Sequence, residues 1–269
     1  MRLLRGRSWI NGALGLWSLA VFVFLFAPIV MVVVMSFNVS KFSIYPVPGW
    51  SLKWYSEAFD DPEIMQAIGT SALIAVCAAL IASVIGTLAA LALVRYSFRA
   101  RKFLRAAFMS PLIIPEVVIA VALLALSTTF RLKGGLPVVI GGHALLGLPF
   151  VVTVVSARLH GFDATLEEAA RDLGADEWKT FAKVTLPLAL PGVIAGMVLA
   201  FTVSFDNFLV TYMNAGSDVV TIPLKIYSMM RLELSPKLHA ASTLVIAITI
   251  GLLVIYHVLT RRRSSEKQG

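Results

Sequence analysis

Charged residues are scarce in this sequence of 269 residues. Asp, Glu, Lys and Arg together make up 14% of the chain, whereas 58% is hydrophobic and the mean hydropathy is +0.86. Such a composition excludes an ordinary soluble globular domain and is typical of a membrane protein with several spans. The net charge of +8 does not indicate a nucleic-acid partner, because the basic residues stand beside apolar runs.

Cysteine and the motifs of nucleotide hydrolysis are also scarce or missing. Cys77 is the only cysteine, which excludes an intrachain disulfide and a zinc site built from cysteines. The four histidines, His143 among them, lack the spacing of metal ligands and are interpreted as structural or interfacial. The sequence contains no GxxxxGK[ST] loop and no nucleophile elbow. We therefore expect no metal site, no catalysis and no ATP hydrolysis within this chain.

Long apolar runs make up most of what is present, and six of them are long enough to cross a bilayer as helices. They predict an all-α polytopic membrane protein with a single transmembrane domain over residues 1–269. The first run is longer than the ~7 to 15 residues of a signal-peptide core, so it is expected to remain as a span. Gly86 in the alanine-rich second run predicts close helix packing, and Pro111 and Pro115 break the third. The predicted spans cover about residues 12–35, 67–94, 103–126, 136–159, 188–212 and 239–260.

Lysine and arginine are distributed unevenly between the connections. Sixteen of the 23 lie at the two termini, between the second and third spans, and between the fourth and fifth spans; the other seven lie in the remaining connections. Since positive charge is enriched on the cytoplasmic side of membrane proteins, both termini and the connection over residues 160–187 are predicted to be cytoplasmic.

That cytoplasmic connection is the longest strongly charged interruption in the chain. Thr165 and Glu168 have the spacing of a capping box, and Gly174 is placed to end the helix in a left-handed turn. Asp176 is expected to cap a second short helix that Pro187 limits. Small or apolar side chains recur on one face of the first helix, at Leu166, Ala169, Ala170 and Leu173. The pattern predicts a helix-turn-helix; an alternative is an amphipathic connector that packs on its own bundle.

The spaced pattern resembles a known signature. Glu168-Ala169-Ala170, Gly174, and then Val184, Leu186 and Pro187 resemble the EAA motif of the membrane subunits of binding-protein-dependent ABC importers, with Val184 where isoleucine is usual. The resemblance covers much of the chain from about Phe103 onward. It implies the type I ABC importer permease fold, a multi-pass location in the bacterial inner membrane, and a loop that couples to a cytoplasmic ATPase. The implied coupling residues are Leu166, Glu168, Ala169, Ala170, Leu173 and Gly174.

The same resemblance implies a set of partners. These are a second, related permease subunit that completes a heterodimer, two copies of a cytoplasmic ATPase that bind Mg-ATP, and an extracytoplasmic solute-binding protein. No cofactor is expected in this chain itself, and apart from the lipid membrane no other partner is implied.

Two carboxylates fall inside predicted spans. Glu116 follows the proline break, and Asp206 lies beside Asn207 in the fifth span. Since an ionisable group in a span usually faces the bundle interior or an aqueous path, both are candidates for a solute pathway that attracts cations. Phe205 and Tyr212 lie close in sequence, and aromatic faces beside carboxylates hold ammonium groups. Two simpler interpretations stay open: ordinary aromatic packing, and carboxylates that pair with a nearby Arg or Ser or lie nearer the interface.

Within the importer family, the chain is similar to the second permease subunit of spermidine/putrescine-type systems. The stretch from Leu148 to Ala175, the surroundings of Asp206 and the segment from Ile222 to Leu244 carry this similarity. It implies a small cationic solute such as a polyamine. Relatives tend to have adjacent acids where this chain has Asp206 and Asn207, so an amino-acid derivative or an aminophosphonate stays open. A secondary transporter driven by an ion gradient and a membrane scaffold or sensor without transport are also compatible with the apolar composition.

Overall fold

The computed structural model describes residues 2–41, 46–163, 165–232 and 235–261, with side chains between residues 12 and 258. The orientation prediction partly depends on basic residues that lie outside these described side chains, namely Arg2, Arg5, Arg7, Arg262, Arg263 and Lys267.

Within the described ranges, the only extended pairing is an isolated bridge between Asn38 and Trp50. The helices are α1 (Arg2–Ser36), α2 (Lys53–Phe59), α3 (Pro62–Arg95), α4 (Arg101–Ile113), α5 (Glu116–Thr129), α6 (Leu136–His160), α7 (Thr165–Asp172), α8 (Glu177–Thr180), α9 (Leu186–Phe205), α10 (Leu209–Asn214), α11 (Ile222–Leu232) and α12 (Pro236–Arg261), with a π-helical turn at Phe181–Thr185 between α8 and α9.

Among the described residues, five helices are long and apolar enough to cross a bilayer. A sixth span results if the bent pair α4 and α5 is counted as one. The prediction of an all-helical polytopic protein is therefore confirmed. The five candidate spans are Gly12–Ser36, Pro62–Arg95, Leu136–His160, Glu177–Phe205 and Pro236–Val258.

The third predicted span is broken at Pro115, as expected, but not at Pro111, which lies inside α4. The pair α4 and α5 is bent by 107°, so the chain turns sharply between Ile113 and Glu116. Pro115 is the reason, because a proline disfavours helical backbone at the residue before it and has no amide hydrogen to donate. Ile114 is accordingly extended, with φ −73° and ψ 129°.

The second short helix of the connection over residues 160–187 does not end at Pro187, and this prediction was wrong. α8 continues through the π turn into α9. The amide of Leu186 bonds to the carbonyl of Phe181, five residues back, as a π turn requires. Pro187 then lies in the first turn of α9, where a missing amide donor costs little. The fifth span thus begins in the connection itself and ends earlier than predicted, at Phe205.

The chain divides into two compact units, Met1–Pro62 with Ser228–Leu244 and Glu63–Tyr227 with Val245–Gly269. In the first unit, the indole nitrogen of Trp54 donates to the carbonyl oxygen of Asn38 at 2.6 Å. Lys237 and Asp61 form an ion pair in the same unit.

Small residues build the core of the second unit. A Cβ atom added to Gly86 of α3 would lie 2.8 Å from the Cβ of Val151 in α6, and one added to Gly196 of α9 would lie 3.0 Å from the Cα of the same valine. These approaches confirm the predicted close packing at Gly86 and allow α3 and α9 to contact α6 closely. The buried cluster around them comprises Ala79, Ala82, Ala90, Val151, Val155, Leu159, Ala189 and Ala200.

Candidate functional site: a coupling segment and a membrane cleft

The first candidate region is α7, which begins differently from the prediction. Thr165 is the first helical residue, so it does not cap the helix from outside as the capping box with Glu168 requires. Instead, a carboxylate oxygen of Asp163 accepts a hydrogen bond from the backbone amide of Thr165 at 3.0 Å. Hydrogen bonds from Thr165 lower the pKa of Asp163, so this exposed carboxylate stays charged beside the positive end of the helix.

The end of α7 follows the prediction. Gly174 has φ +86°, a left-handed conformation that side-chain-bearing residues rarely adopt. Its amide donates to the carbonyl oxygen of Arg171 at 2.9 Å, and the amide of Ala175 donates to the carbonyl oxygen of Ala170 at 3.0 Å. These two bonds make a Schellman motif that stops the helix sharply.

The predicted apolar face of α7 is not covered by the second unit. Leu166 is 48% exposed, Leu173 is 89% exposed, and Ala169 is also exposed, whereas Ala170 is half-buried. The alternative in which this face packs on its own bundle therefore does not describe the structure. Trp178 on α8 is 73% exposed as well, although its ring contacts that of Phe181.

The start of α8 follows the prediction. Asp176 caps this helix by accepting a hydrogen bond from the amide of Lys179 at 2.7 Å. The same bond lowers the pKa of Asp176, so the cap carries a negative charge at the positive end of the helix.

The buried side of α7 is charged, which the sequence did not reveal. Glu167 is only 6% exposed. One carboxylate oxygen accepts from the hydroxyl of Thr185 at 2.8 Å, and the other lies 3.3 Å from Nε of Arg95 at the end of α3. The guanidinium of Arg95 lies over the ring of Phe162, 4.6 Å from its centroid. Hydropathy alone predicts that a glutamate faces solvent. The burial of Glu167 could have been inferred only from its pairing with Arg95, which the sequence does not reveal.

The second candidate region is a cleft of about 560 Å³ between two helix breaks. One break is the sharp bend between α4 and α5, and the other lies between α9 and α10 at residues 206–208. The carboxylates of Glu116 and Asp206 and the amide of Asn207 line it together. The remaining lining residues are Pro111, Leu112, Ile113, Ile114, Pro115, Leu146, Phe150, Val203, Phe208 and Leu209.

The two carboxylates have different partners. Nδ2 of Asn207 donates to Oε1 of Glu116 at 2.5 Å, while its Oδ1 accepts from the amide of Val210. The hydroxyl of Thr249 donates to both carboxylate oxygens of Asp206, at 3.1 and 2.9 Å. Within the described residues, neither acid takes part in an ion pair. The alternative of an Arg or Ser partner is therefore not what the structure shows, and the negative charge of the cleft is not neutralised by a neighbouring cation.

The two aromatic residues of the predicted pathway do not line the cleft. Phe205 is 2% exposed and stacks on Phe201, with ring centroids 5.8 Å apart. Tyr212 is half exposed and contacts Phe208 and Tyr227, with centroids 5.2 and 5.7 Å away. Of these rings, only Phe208 also reaches the cleft.

The buried His143 bridges the two helices on either side of the break between α9 and α10. It is 1% exposed on α6, its Nδ1 lies 2.8 Å from the hydroxyl of Ser204, and its Nε2 lies 3.0 Å from that of Thr211. Ser204 belongs to α9 and Thr211 to α10, so one imidazole joins the two helices that flank Asp206. The structural interpretation of this histidine is confirmed, and its specific task was not visible in the sequence.

Comparison with protein families matches residues 82–265 to the family described as binding-protein-dependent transport system inner membrane component. Among curated proteins, the spermidine/putrescine transport system permease protein PotC of Escherichia coli K12 is 36% identical over 250 residues, covering 93% of this chain and 94% of the relative. The putrescine transport system permease protein PotI of the same strain is 36% identical over 255 residues, covering 92% and 89%. The molybdenum transport system permease protein ModB of that strain is 30% identical over 232 residues, covering 78% and 98%.

Solved structures show the same fold. A bacterial ABC transporter involved in the import of the acidic polysaccharide alginate superimposes with a TM-score of 0.72 at 17% identity, covering 98% of this chain and 99% of that one. The MetNI methionine ABC transporter superimposes with a TM-score of 0.57 at 18% identity, covering 74% and 96%.

Proposed function

We propose a polyamine as the solute of this chain, which belongs to the family of binding-protein-dependent transport system inner membrane components. It is a multi-pass inner-membrane permease subunit of an ATP-driven import system and not an enzyme. In this proposal it forms half of the translocation pathway for a small cationic solute of the polyamine class. The names of its relatives PotC and PotI support that solute class.

The observation that carries the solute proposal is the carboxylate of Asp206 at the helix break. It is exposed to the cleft, and its described partner is a neutral hydroxyl. A carboxylate inside a membrane protein without a neighbouring cation favours binding of a cation, and an ammonium group supplies both charge and hydrogen-bond donors. Glu116 adds negative charge, although Asn207 already occupies one of its oxygens.

Coupling to the ATPase is assigned to the exposed face of α7. Leu166, Ala169 and Leu173 present apolar and small side chains at the spacing by which a helix lies in a groove. Glu168, Ala170 and Gly174 complete the predicted coupling segment, and Gly174 sets its length. The ATPase, which binds Mg-ATP, would contact this face from the cytoplasm, where the excess of Lys and Arg places the connection.

The partner set follows from the family in general terms, since its members are permeases of ABC importers. In the proposed complex, this chain pairs with a second, different permease subunit, with two ATPase subunits and with a solute-binding protein that delivers the solute from outside.

The test is uptake by the complete complex, purified through a tag on this chain and reconstituted into vesicles. We expect uptake of radiolabelled spermidine or putrescine that requires Mg-ATP and the binding protein and that persists after an ionophore collapses ion gradients. Uptake driven by a gradient without ATP would establish the secondary-transporter alternative. ATP-dependent uptake of an amino acid, an aminophosphonate or molybdate, with none of the polyamines, would overturn the proposed solute class alone.

A further inference from the structure

Glu167 is in an unusual place for an acid. Of the Asp and Glu side chains in the described part of the chain, it alone is buried, while its neighbour Glu168 is exposed. Burying a carboxylate is unfavourable unless its charge and its lone pairs are satisfied. The surrounding structure supplies a hydrogen bond to one oxygen and a positive charge beside the other, from two different elements.

The two oxygens of Glu167 reach two different membrane spans. Oε2 lies 3.3 Å from Nε of Arg95, which is the last residue of α3. Oε1 accepts from Thr185, the last residue of the π turn and the residue directly before α9. Phe162 lies 4.6 Å from the guanidinium of Arg95 and restrains it. One carboxylate thus connects α7 to the cytoplasmic end of α3 and to the start of α9.

α9 leads from this contact directly to the cleft. It runs without interruption for 20 residues from Leu186 to Phe205, and the next residue is Asp206. A helix of that length spans about 30 Å, and helices transmit displacement along their axis because their backbone hydrogen bonds resist stretching. A shift of α7 that pulls on Thr185 therefore reaches the helix break at Asp206.

We propose that Glu167 and Arg95 are positioning residues that form a joint between α7 and the spans, here called the Glu167 joint, comprising Glu167, Arg95 and Thr185. The exposed face of α7 receives the motion of the ATPase, and the Glu167 joint passes it to α3 and α9 at the same time. This inference rests on the proposed coupling role of α7 and adds the internal connection by which that coupling reaches the cleft.

The test separates a mechanical role from a merely structural one. Arg95→Met leaves the buried carboxylate of Glu167 unpaired, and Glu167→Met leaves the partly buried guanidinium of Arg95 unpaired, so both single variants should lower the thermal stability of the complex, the first by more. The double variant Glu167→Met with Arg95→Met removes both charges and replaces them with apolar side chains, which should restore stability and assembly. If the joint is mechanical, the restored double variant still hydrolyses ATP but imports roughly tenfold less solute per ATP than the unsubstituted complex.

Thr185→Val tests only the hydrogen bond that connects Glu167 to the start of α9, here called the arm toward α9. It keeps the ion pair between Arg95 and Glu167, and it should lower solute import per ATP without loss of assembly. Asp172→Asn is the matched control, because it removes an exposed carboxylate from the same helix without touching the joint. We expect it to match the unsubstituted complex in both measurements.

Two results would count against the joint. A stable double variant with unchanged solute import per ATP would show that the pair serves folding only, and an unaffected Thr185→Val variant would remove the arm toward α9. Failure of the proposed function is recognised separately, because the unsubstituted complex would then show no ATP-dependent import at all.

Discussion

At the scale of single residues, the cleft depends on side chains that differ in how they are held. The side-chain amide of Asn207 donates a hydrogen bond to one oxygen of Glu116, whereas the described partner of Asp206 is the hydroxyl of Thr249. The same amide of Asn207 that satisfies Glu116 also supports the first turn of α10 through Val210. In the proposed pathway, Asp206 is therefore the acid of the cleft that is expected to exchange its protein partner for a solute.

Replacing Asp206 tests this assignment. Asp206→Asn keeps the size of the side chain and removes its charge, so uptake of a polyamine should require a higher concentration for half-maximal rate. A hydrogen bond to a charged group contributes about 1.5 kcal/mol or more, which corresponds to roughly a tenfold increase in KM. Asp218→Asn, an exposed acid outside the cleft, should leave KM unchanged. Full retention of uptake by the Asp206→Asn variant would remove this residue from the solute pathway.

His143 supplies a second residue-scale prediction. His143→Ala leaves the buried hydroxyls of Ser204 and Thr211 without their imidazole partner. Thr211 keeps a contact of 3.5 Å to the carbonyl oxygen of Asn207, so the cost of about 1–3 kcal/mol for an unpaired buried hydroxyl falls on Ser204. We expect a lower thermal unfolding temperature and slower uptake, because the α9–α10 break loses its support. Thr153→Ala on the same helix is the control and should change neither quantity appreciably, because its exposed hydroxyl donates mainly to the carbonyl of Pro149 at 2.7 Å and lies 3.8 Å from the sulfur of Met109. Unchanged uptake kinetics in the His143→Ala variant would show that the break does not need the imidazole.

At the scale of helices, the stop of α7 and the continuity of α8 with α9 set the geometry of the proposed coupling segment. Without a stop, α7 would extend beyond Leu173. A separate α8 would interrupt the helical connection between the proposed coupling segment and the fifth span. The Schellman motif at Gly174 prevents the first, and the π turn at Phe181–Thr185 prevents the second.

Gly174 can be tested by conformation without introducing a clash. Within this chain, a Cβ atom at this position meets nothing within 4 Å, so a substitution acts on the chain itself through φ and not through a clash. Gly174→Val should be unfavourable by about 1–2 kcal/mol in the left-handed conformation and should lower solute import per ATP, although the protein still inserts. Gly174→Asn, a residue that tolerates this conformation, should retain much more of the coupling. Equal import per ATP in both variants and the unsubstituted complex would contradict the role of this turn.

At the scale of the whole molecule, the distribution of basic residues predicts which face of the membrane each connection occupies. The lone cysteine makes a direct test possible. In a Cys77→Ala background, Lys53→Cys and Glu177→Cys each introduce one exposed thiol, on α2 and α8. A membrane-impermeant maleimide added to intact cells should label the first and not the second, and inverted vesicles should reverse the pattern. The opposite labelling would place the coupling segment outside the cytoplasm and contradict the assignment of α7.

Local patterns along the chain were sufficient to predict the helical class, the candidate spans, the glycine stop of α7 and the charge asymmetry between connections. These properties follow from hydropathy, backbone preference and residue spacing, none of which requires knowledge of distant neighbours. The same patterns identified Glu116, Asp206 and Asn207, because ionisable and amide groups are conspicuous in apolar runs.

Which of these residues meet is a property of the folded chain alone. Asn207 bonds to Glu116 across 91 positions, and His143 reaches Ser204 across 61. The burial of Glu167 against Arg95 likewise brings together residues that are distant in sequence. Hydropathy favours a solvent-exposed glutamate, whereas Glu167 is buried, because the fold supplies the charge of Arg95 and the hydroxyl of Thr185 in place of water.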